Sequence, residues 1–337
     1  MPGCRPLADR ERLRLAKRVP RSRHAQIEIL STSTGERRAS PNASEDGSAG
    51  FGRVGSGTTW NLPQSAVMDD PNRSVGESGY LLDNRALETE HRFDNLAALF
   101  NPVTFRHCDM LGISKGWRCW EVGVGGPSVP RWLAERVGPS GHVLATDIDV
   151  RWAHDVVGDQ VEVRRHDVAN DDPPEGGFDF VHARLVLIHV PQRERALELM
   201  VAALRPGGWL LIEDFDPAMQ PFACPDAFGP EQQLANKVRD GFRSLLVERG
   251  ADLAFARRLP RLLRAAGLVE VEADAYIPLA LPAGVELEKA NVTQVRDQLI
   301  ARGYATAGEI DTYLMALAAR SLDVATAPLI SVWGRRD

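Results

Sequence analysis

The amino-acid sequence predicts an α/β fold, a doubly wound and mostly parallel sheet of seven strands with helical insertions. Three features carry that prediction. From about residue 113 onward, short apolar runs alternate with helical patterns long enough to cross between parallel neighbours. The stretch Trp120-Glu121-Val122-Gly123-Val124-Gly125-Gly126-Pro127-Ser128 reads as a buried strand turning through glycines into a helix. Successive strands also end in polar residues, as in sheets that bind a ligand beyond their carboxyl ends.

Taken in order, Leu87, Phe93, Leu96, Leu99 and Phe100 recur at helical spacing after Tyr80 and predict one long amphipathic helix. Pro102 is expected to end it, with a second helix reaching about Gly112. Strand one is Arg118–Val122, followed by a helix from about Ser128 to Val137 and a return turn at Gly138-Pro139-Ser140-Gly141. Strand two is His142–Asp147. A short helix, Trp152–Val157, leads to strand three, Val161–Arg165, which ends in His166-Asp167. A polar loop then precedes strand four, Phe178–Ala183. Pro191 opens a helix that runs to Leu204, closed by Arg205-Pro206-Gly207-Gly208. Trp209–Glu213 is strand five. A Pro-rich loop, Phe215–Pro230, and helices at about 231–249 and 252–266 precede strand six, Leu268–Ile277. Helices at 285–302 and 307–320 come before a last strand, Leu329–Trp333.

Composition narrows the function. The 337 residues have ample length for a substantial core and carry a net charge of −6. Residues 1–67 hold 11 Lys/Arg and 6 Asp/Glu, so the remainder is acidic, with 29 and 40. An acidic body argues against nucleic-acid binding, which depends on neutralising phosphates. The four cysteines are scattered, without metal-ligand spacing, so neither a metal site nor a disulfide framework is expected and the cytoplasm is the default setting. No apolar run reaches membrane-spanning length. The first 67 residues are rich in Arg, Ser, Thr and Gly and predict a disordered tail. Met68 is a candidate natural start, which would make the upstream part an over-extended reading frame.

The strand ends carry the chemistry. Gly123, Gly125 and Gly126 form a turn without Cβ atoms, open to close approach by a ligand, and the helix start beyond it offers free N–H groups. Asp147 ends strand two, 24 residues after Gly123, placed to accept from ribose hydroxyls. Asp167 ends strand three, where a carboxylate can accept from an adenine amine. Strand four ends in His182-Ala183-Arg184. Each alone has a structural reading, as a turn, a helix cap or a solvated side chain.

Together, over residues 80–214, these pieces resemble the class I S-adenosylmethionine-dependent methyltransferases, especially their small-molecule branch. The carriers are Glu121 to Gly126, Ala145-Thr146-Asp147-Ile148-Asp149, Arg165-His166-Asp167-Val168, Phe178 to Arg184, and Leu204-Arg205-Pro206-Gly207-Gly208 through Asp214. The resemblance implies a Rossmann-like sheet whose seventh strand, Leu329–Trp333, is antiparallel. It implies that Glu121, Gly123, Gly125 and Gly126 border the methionine and ribose of S-adenosylmethionine, that Asp147 and Ile148 flank the ribose, and that Asp167 and Val168 read adenine. Arg184 would lie along the cofactor. It also implies that residues 68–112 form a helical lid over a domain at 113–337, with Tyr80 near the sulfonium and Arg92 at the methionine carboxylate. The acceptor pocket would come from insertions at about 215–266 and 278–327, with Phe215, Met219, Phe222 and Phe228 read either as apolar contacts or as core packing, and Tyr313 more readily as core. Strand four lacks the Asn/Asp-Pro-Pro-aromatic sequence of relatives that methylate nucleic acids or glutamine.

The acceptor expected is therefore a small molecule, methylated on O, N or C, with S-adenosylhomocysteine as product and secondary metabolism a candidate setting. A base is needed only where the acceptor must lose a proton, and the candidates are His189, His182 and Asp214. Monomer and homodimer both remain open. Two other readings stand beside this one. A non-catalytic protein could bind S-adenosylmethionine or its product without an acceptor pocket. A nicotinamide-dependent oxidoreductase shares the glycine turn but leaves Asp167 and the Arg205–Gly208 turn unexplained.

Overall fold

The computed structural model describes residues 81–82 and 88–337, which fall in the unit Asp69–Asp337. The expected tail at 1–67, most of the approach to the lid, and Tyr80 lie outside the described residues. The described helices and strands are α1 (Glu88–Met110), β1 (Arg118–Val122), α2 (Ser128–Val137), β2 (His142–Asp147), β3 (Val161–Arg165), β4 (Phe178–Arg184) and α3 (Arg193–Ala203). They continue with β5 (Leu204–Phe215), α4 (Pro230–Glu248), α5 (Leu259–Ala265), β6 (Leu268–Tyr276), α6 (Pro282–Ala301), α7 (Ala307–Ala319) and β7 (Leu329–Arg336). No described helix is long and apolar enough to cross a membrane.

The seven strands form one sheet in the order β3-β2-β1-β4-β5-β7-β6, and β7 alone runs antiparallel to its neighbours. Strand order reverses between β1 and β4, the place where doubly wound sheets open a crevice at their carboxyl ends. Register fixes what lies there. Val122 pairs with Thr146 of β2 and with Ala183 of β4, so Gly123, Asp147 and Arg184 stand side by side at one level. Asp147 in turn pairs with Arg165, which brings His166 and Asp167 to the same rim.

Side chains alternate between the two faces of the sheet. Trp120, Val122, Leu144, Val181, Leu210 and Ile212 join the core beneath α3 and α5. Cys119, Val143, Ala145, Phe180 and Leu211 join the core beneath α1 and α2. A third core, with Val238, Leu245, Val292, Val295, Ile310 and Tyr313, holds α4, α6 and α7 together as a helical cap, and Leu81 and Leu82 pack into it.

Three expectations change. Pro102 does not end a helix; α1 runs through it for 23 residues. Pro102 and Ala98, whose carbonyl loses its N–H partner, are both exposed, while Leu99, Phe100, Val103 and Thr104 are buried on the opposite face. The break therefore lies on the solvent-facing side of the helix, and packing on the opposite side holds the axis. Arg205-Pro206-Gly207-Gly208 does not cap the preceding helix. It forms an irregularity inside β5, where Phe178 pairs with Leu204 and Phe180 with Trp209. The segment Trp152–Val157 belongs to a 3-10 helix, Val150–Val156, begun by the Asp149 side chain accepting from Arg151 N.

Candidate active site

A cavity of about 590 Å³ opens at the carboxyl ends of β1, β2 and β4 and runs beneath the cap. Its floor is the glycine turn. Gly123 takes φ +68°, and a Cβ there would fall 2.2 Å from Val186 Cγ2. Gly125 takes φ +52°, with the Phe93 ring of α1 against it. No side chain fits at either position without displacing a wall. Both N–H groups at the top of the turn are tied down: Gly123 and Val124 donate to the Thr146 carbonyl at 2.7 and 2.9 Å.

Asp147 is held by the turn it faces. Its carboxylate accepts from Gly125 N at 3.0 Å and from Asp149 N at 3.0 Å. Burial pushes this carboxyl above the usual range, against those two bonds. Asp167 accepts from Ala169 N at 2.9 Å and from the Asn170 amide at 2.7 Å. Arg184 donates to Asn101 at 3.0 Å and to Thr104 at 2.9 Å, linking the end of β4 to α1.

Behind the cavity lies a chain of buried charge. Glu121 on the wall accepts from His182 Nδ1 at 2.6 Å, and His182 Nε2 stands 3.4 Å from Glu213. Glu213 also meets His107 at 3.0 Å, Ser331 at 2.8 Å and the Thr104 hydroxyl. Burial alone would lower the His182 pKa; Glu121 and Glu213 more than offset it and raise it to about 9. Glu213, though fully buried, is held well below the ordinary carboxylate range by His107 and His182.

The far half of the cavity is built by the cap. Arg239, Phe242, Arg243 and Leu246 of α4 line it at helical spacing, as do Gly284, Leu287, Glu288 and Asn291 of α6. Arg239 grips Glu288 with two bonds, of 3.1 and 2.6 Å, and Tyr313 donates to the same carboxylate at 2.9 Å.

The model of the methyltransferase-domain family matches residues 89–273, more than half of the chain. Nocamycin O-methyltransferase of Saccharothrix syringae is 30% identical over 274 residues, 72% of this chain and 96% of that protein. The chain belongs to the class I S-adenosylmethionine-dependent methyltransferases. Methyltransferase GfsG of Streptomyces halstedii is 26% identical over 197 residues, covering 57% of this chain and 66% of its own length. The chain thus spans just under two thirds of GfsG. A solved phosphoethanolamine N-methyltransferase of Haemonchus contortus, in complex with S-adenosylhomocysteine, aligns with 73% of this chain and 52% of its own, at 14% identity and a TM-score of 0.42.

S-adenosylmethionine is the cofactor of this methyltransferase family, and the described residues fit it: a turn with no room for side chains and two carboxylates converge on one cavity. Arg92, Glu121, Gly123, Gly125, Gly126, Asp147, Ile148, Asp167, Val168 and Arg184 all line that cavity, and so does His189. Tyr80 lies outside the described residues. His182 and Asp214 do not line the cavity; both are fully buried. His182 faces the carboxylates behind it. Asp214 points inward and accepts from Ile188 N at 2.8 Å and Phe215 N at 3.1 Å, which fixes the turn carrying His189. Burial raises the Asp214 carboxyl to about 7 against those bonds.

Of the apolar side chains considered, Phe215 lines the cavity, whereas Met219, Phe222 and Phe228 are exposed; Tyr313 is a core residue, the reading preferred for it. Sequence reasoning missed Phe93 over the turn and the Leu185-Val186 pair; it placed the pocket in the insertions that hold α4 and α6 without naming their lining residues. Leu185 adopts φ +59°, a left-handed conformation unusual for leucine, and this turns Val186 toward Gly123. Nothing in the sequence signals that position. The α4 and α6 faces do carry a signal, polar residues set at i, i+4 among apolar ones, which interrupts the all-apolar stripe of an ordinary core-facing helix.

Proposed function

We propose that this methyltransferase acts on a small molecule lodged between the strand ends and the facing walls of α4 and α6. Likeness to Nocamycin O-methyltransferase supports an oxygen acceptor and a role in secondary metabolism. The observation that carries the reading is the convergence of the glycine turn, Asp147 and Asp167 on one cavity that continues into the cap.

S-adenosylmethionine supplies, when bound, an activated methyl group on a sulfonium leaving group. The chain's own residues orient and enclose. In this reading Asp147 accepts from the ribose hydroxyls, with Ile148 beside it, and Asp167 and the Val168 backbone read adenine. Glu121, Arg92 and Arg184 surround the methionine end, with Gly123, Gly125 and Gly126 beneath. Phe93, packed on Gly125 and Gly126, and the cap helices exclude water. Most of the acceleration then comes from alignment of the acceptor with the methyl group.

Proton removal is a lesser part. His189 lines the cavity, and burial, then Arg92 and Arg193, lower its pKa to about 4. Its imidazole is neutral at neutral pH and takes a proton only from an acidic acceptor group. His182 and Asp214 serve as positioning residues, the first for Glu121 and the second for the His189 turn.

Calorimetric titration with S-adenosylhomocysteine tests the cofactor half. Asp147→Ala is expected to weaken binding by ~1–3 kcal/mol, the scale of losing a charged hydrogen-bond acceptor. Unchanged affinity overturns the assignment.

A further inference from the structure

The two cap helices treat their charges differently. On α4, Arg239 is matched within the wall, since Glu288 of α6 takes two of its bonds, the Ala325 carbonyl takes a third, and Tyr313 completes the group. Arg243, one turn along α4 and also on the cavity wall, has no such partner. Its carboxylate neighbour is Asp240 of the same helix, whose side chain is 75% exposed, so water screens the pair. That bond uses Nη1, at 3.0 Å. Nε of the guanidinium is buried with no hydrogen-bond partner among the described residues, and so is Oδ1 of Asn291 on α6. Native interiors rarely leave such atoms unmatched without a reason.

Nε belongs to the side-on edge on which a guanidinium holds a carboxylate with two parallel bonds. Asn291 lines the same cavity from α6, and its amide, turned by half a rotation, presents an N–H in place of the unpartnered oxygen. Phe242 and Leu246 beside Arg243, with Leu287 on α6 and Phe215 at the end of β5, give the surrounding wall an apolar character.

We propose that the acceptor is an apolar molecule bearing one anionic oxygen group, a carboxylate or an enolate, which Arg243 and Asn291 receive. This rests on the methyl-transfer reading, because it specifies the acceptor of that same site. Arg243 sets specificity by charge, and Asn291 orients the group.

The test is calorimetric titration of the full chain, first loaded with S-adenosylhomocysteine, with aliphatic and aromatic carboxylic acids and the matching primary amides at neutral pH. At least one acid is expected to bind about tenfold or more tightly than its amide. Arg243→Gln is expected to bring that ratio near unity, and Arg243→Lys to keep part of it, both binding S-adenosylhomocysteine as the parent chain does. No acid preferred over its amide, or a preference that survives Arg243→Gln, overturns the proposal. Failure of the parent chain to bind S-adenosylhomocysteine overturns the methyl-transfer reading itself, and this one with it.

Discussion

His182 shows how a single buried imidazole ties the site to the fold. It lies between Glu121 and Glu213 with no exposure, and its pKa is raised to about 9. An imidazole in the unfolded chain titrates near 6.5, so the folded state binds the proton more tightly. The stability this group contributes is complete below about pH 6.5 and is lost as pH rises through about 9. The parent chain is therefore expected to lose urea stability across that window, and His182→Gln to lose less over the same interval. Parallel pH profiles for the two proteins would show that the imidazole is neutral in the fold. In the sequence, His182 and His189 look alike, each in an apolar run. Their difference lies in register: Glu121 of β1 is the pairing partner of His182, whereas His189 sits in a turn beyond the strand. Gly123, Asp147 and Asp167 were legible as a set because strand ends are predictable from apolar runs. Pairing register between non-consecutive strands was not.

At the scale of elements, α1 carries a local rule broken by tertiary packing. Its interior proline removes one helical bond, yet Leu99, Phe100, Val103, His107 and Cys108 anchor the helix on both sides of the break. Pro102→Ala is expected to stabilise the chain by about 1–3 kcal/mol, read as a raised denaturant midpoint with unchanged slope. A neutral or destabilising result would mean that the break itself sets the angle at which Phe93 meets the glycine turn. The same conflict between local signal and context explains the turn at Arg205–Gly208. Its Pro-Gly-Gly content marks a break in regular structure, but the sheet absorbs it as a register shift inside β5, and the Gly208 Cα lies so close to β4 that an added Cβ would meet the Phe178 carbonyl at 2.8 Å. Strand and helix order followed from periodicity, whereas element ends were decided by neighbours distant in sequence.

For the whole molecule, two separate cores meet along the cavity: one within the sheet layers and one among α4, α6 and α7. The Arg239–Glu288 pair joins two cap helices at the lining. Arg239→Met leaves Glu288 buried without its cation and is expected to cost about 3–5 kcal/mol in thermal or urea unfolding. Arg239→Met with Glu288→Leu is expected to recover most of that loss, since neither charge is then stranded. An equal loss in the single and double variants would show that the guanidinium stabilises through packing instead. The strand order carries a further consequence. The residues facing each half of the cavity come from non-overlapping stretches of chain: the ends of β1, β2 and β4 supply the floor, and helices inserted after β5 and β6 supply the roof. Substitutions that reshape the roof leave the floor's hydrogen bonds untouched, so a lineage of such enzymes is free to change what it modifies while keeping the currency it modifies with.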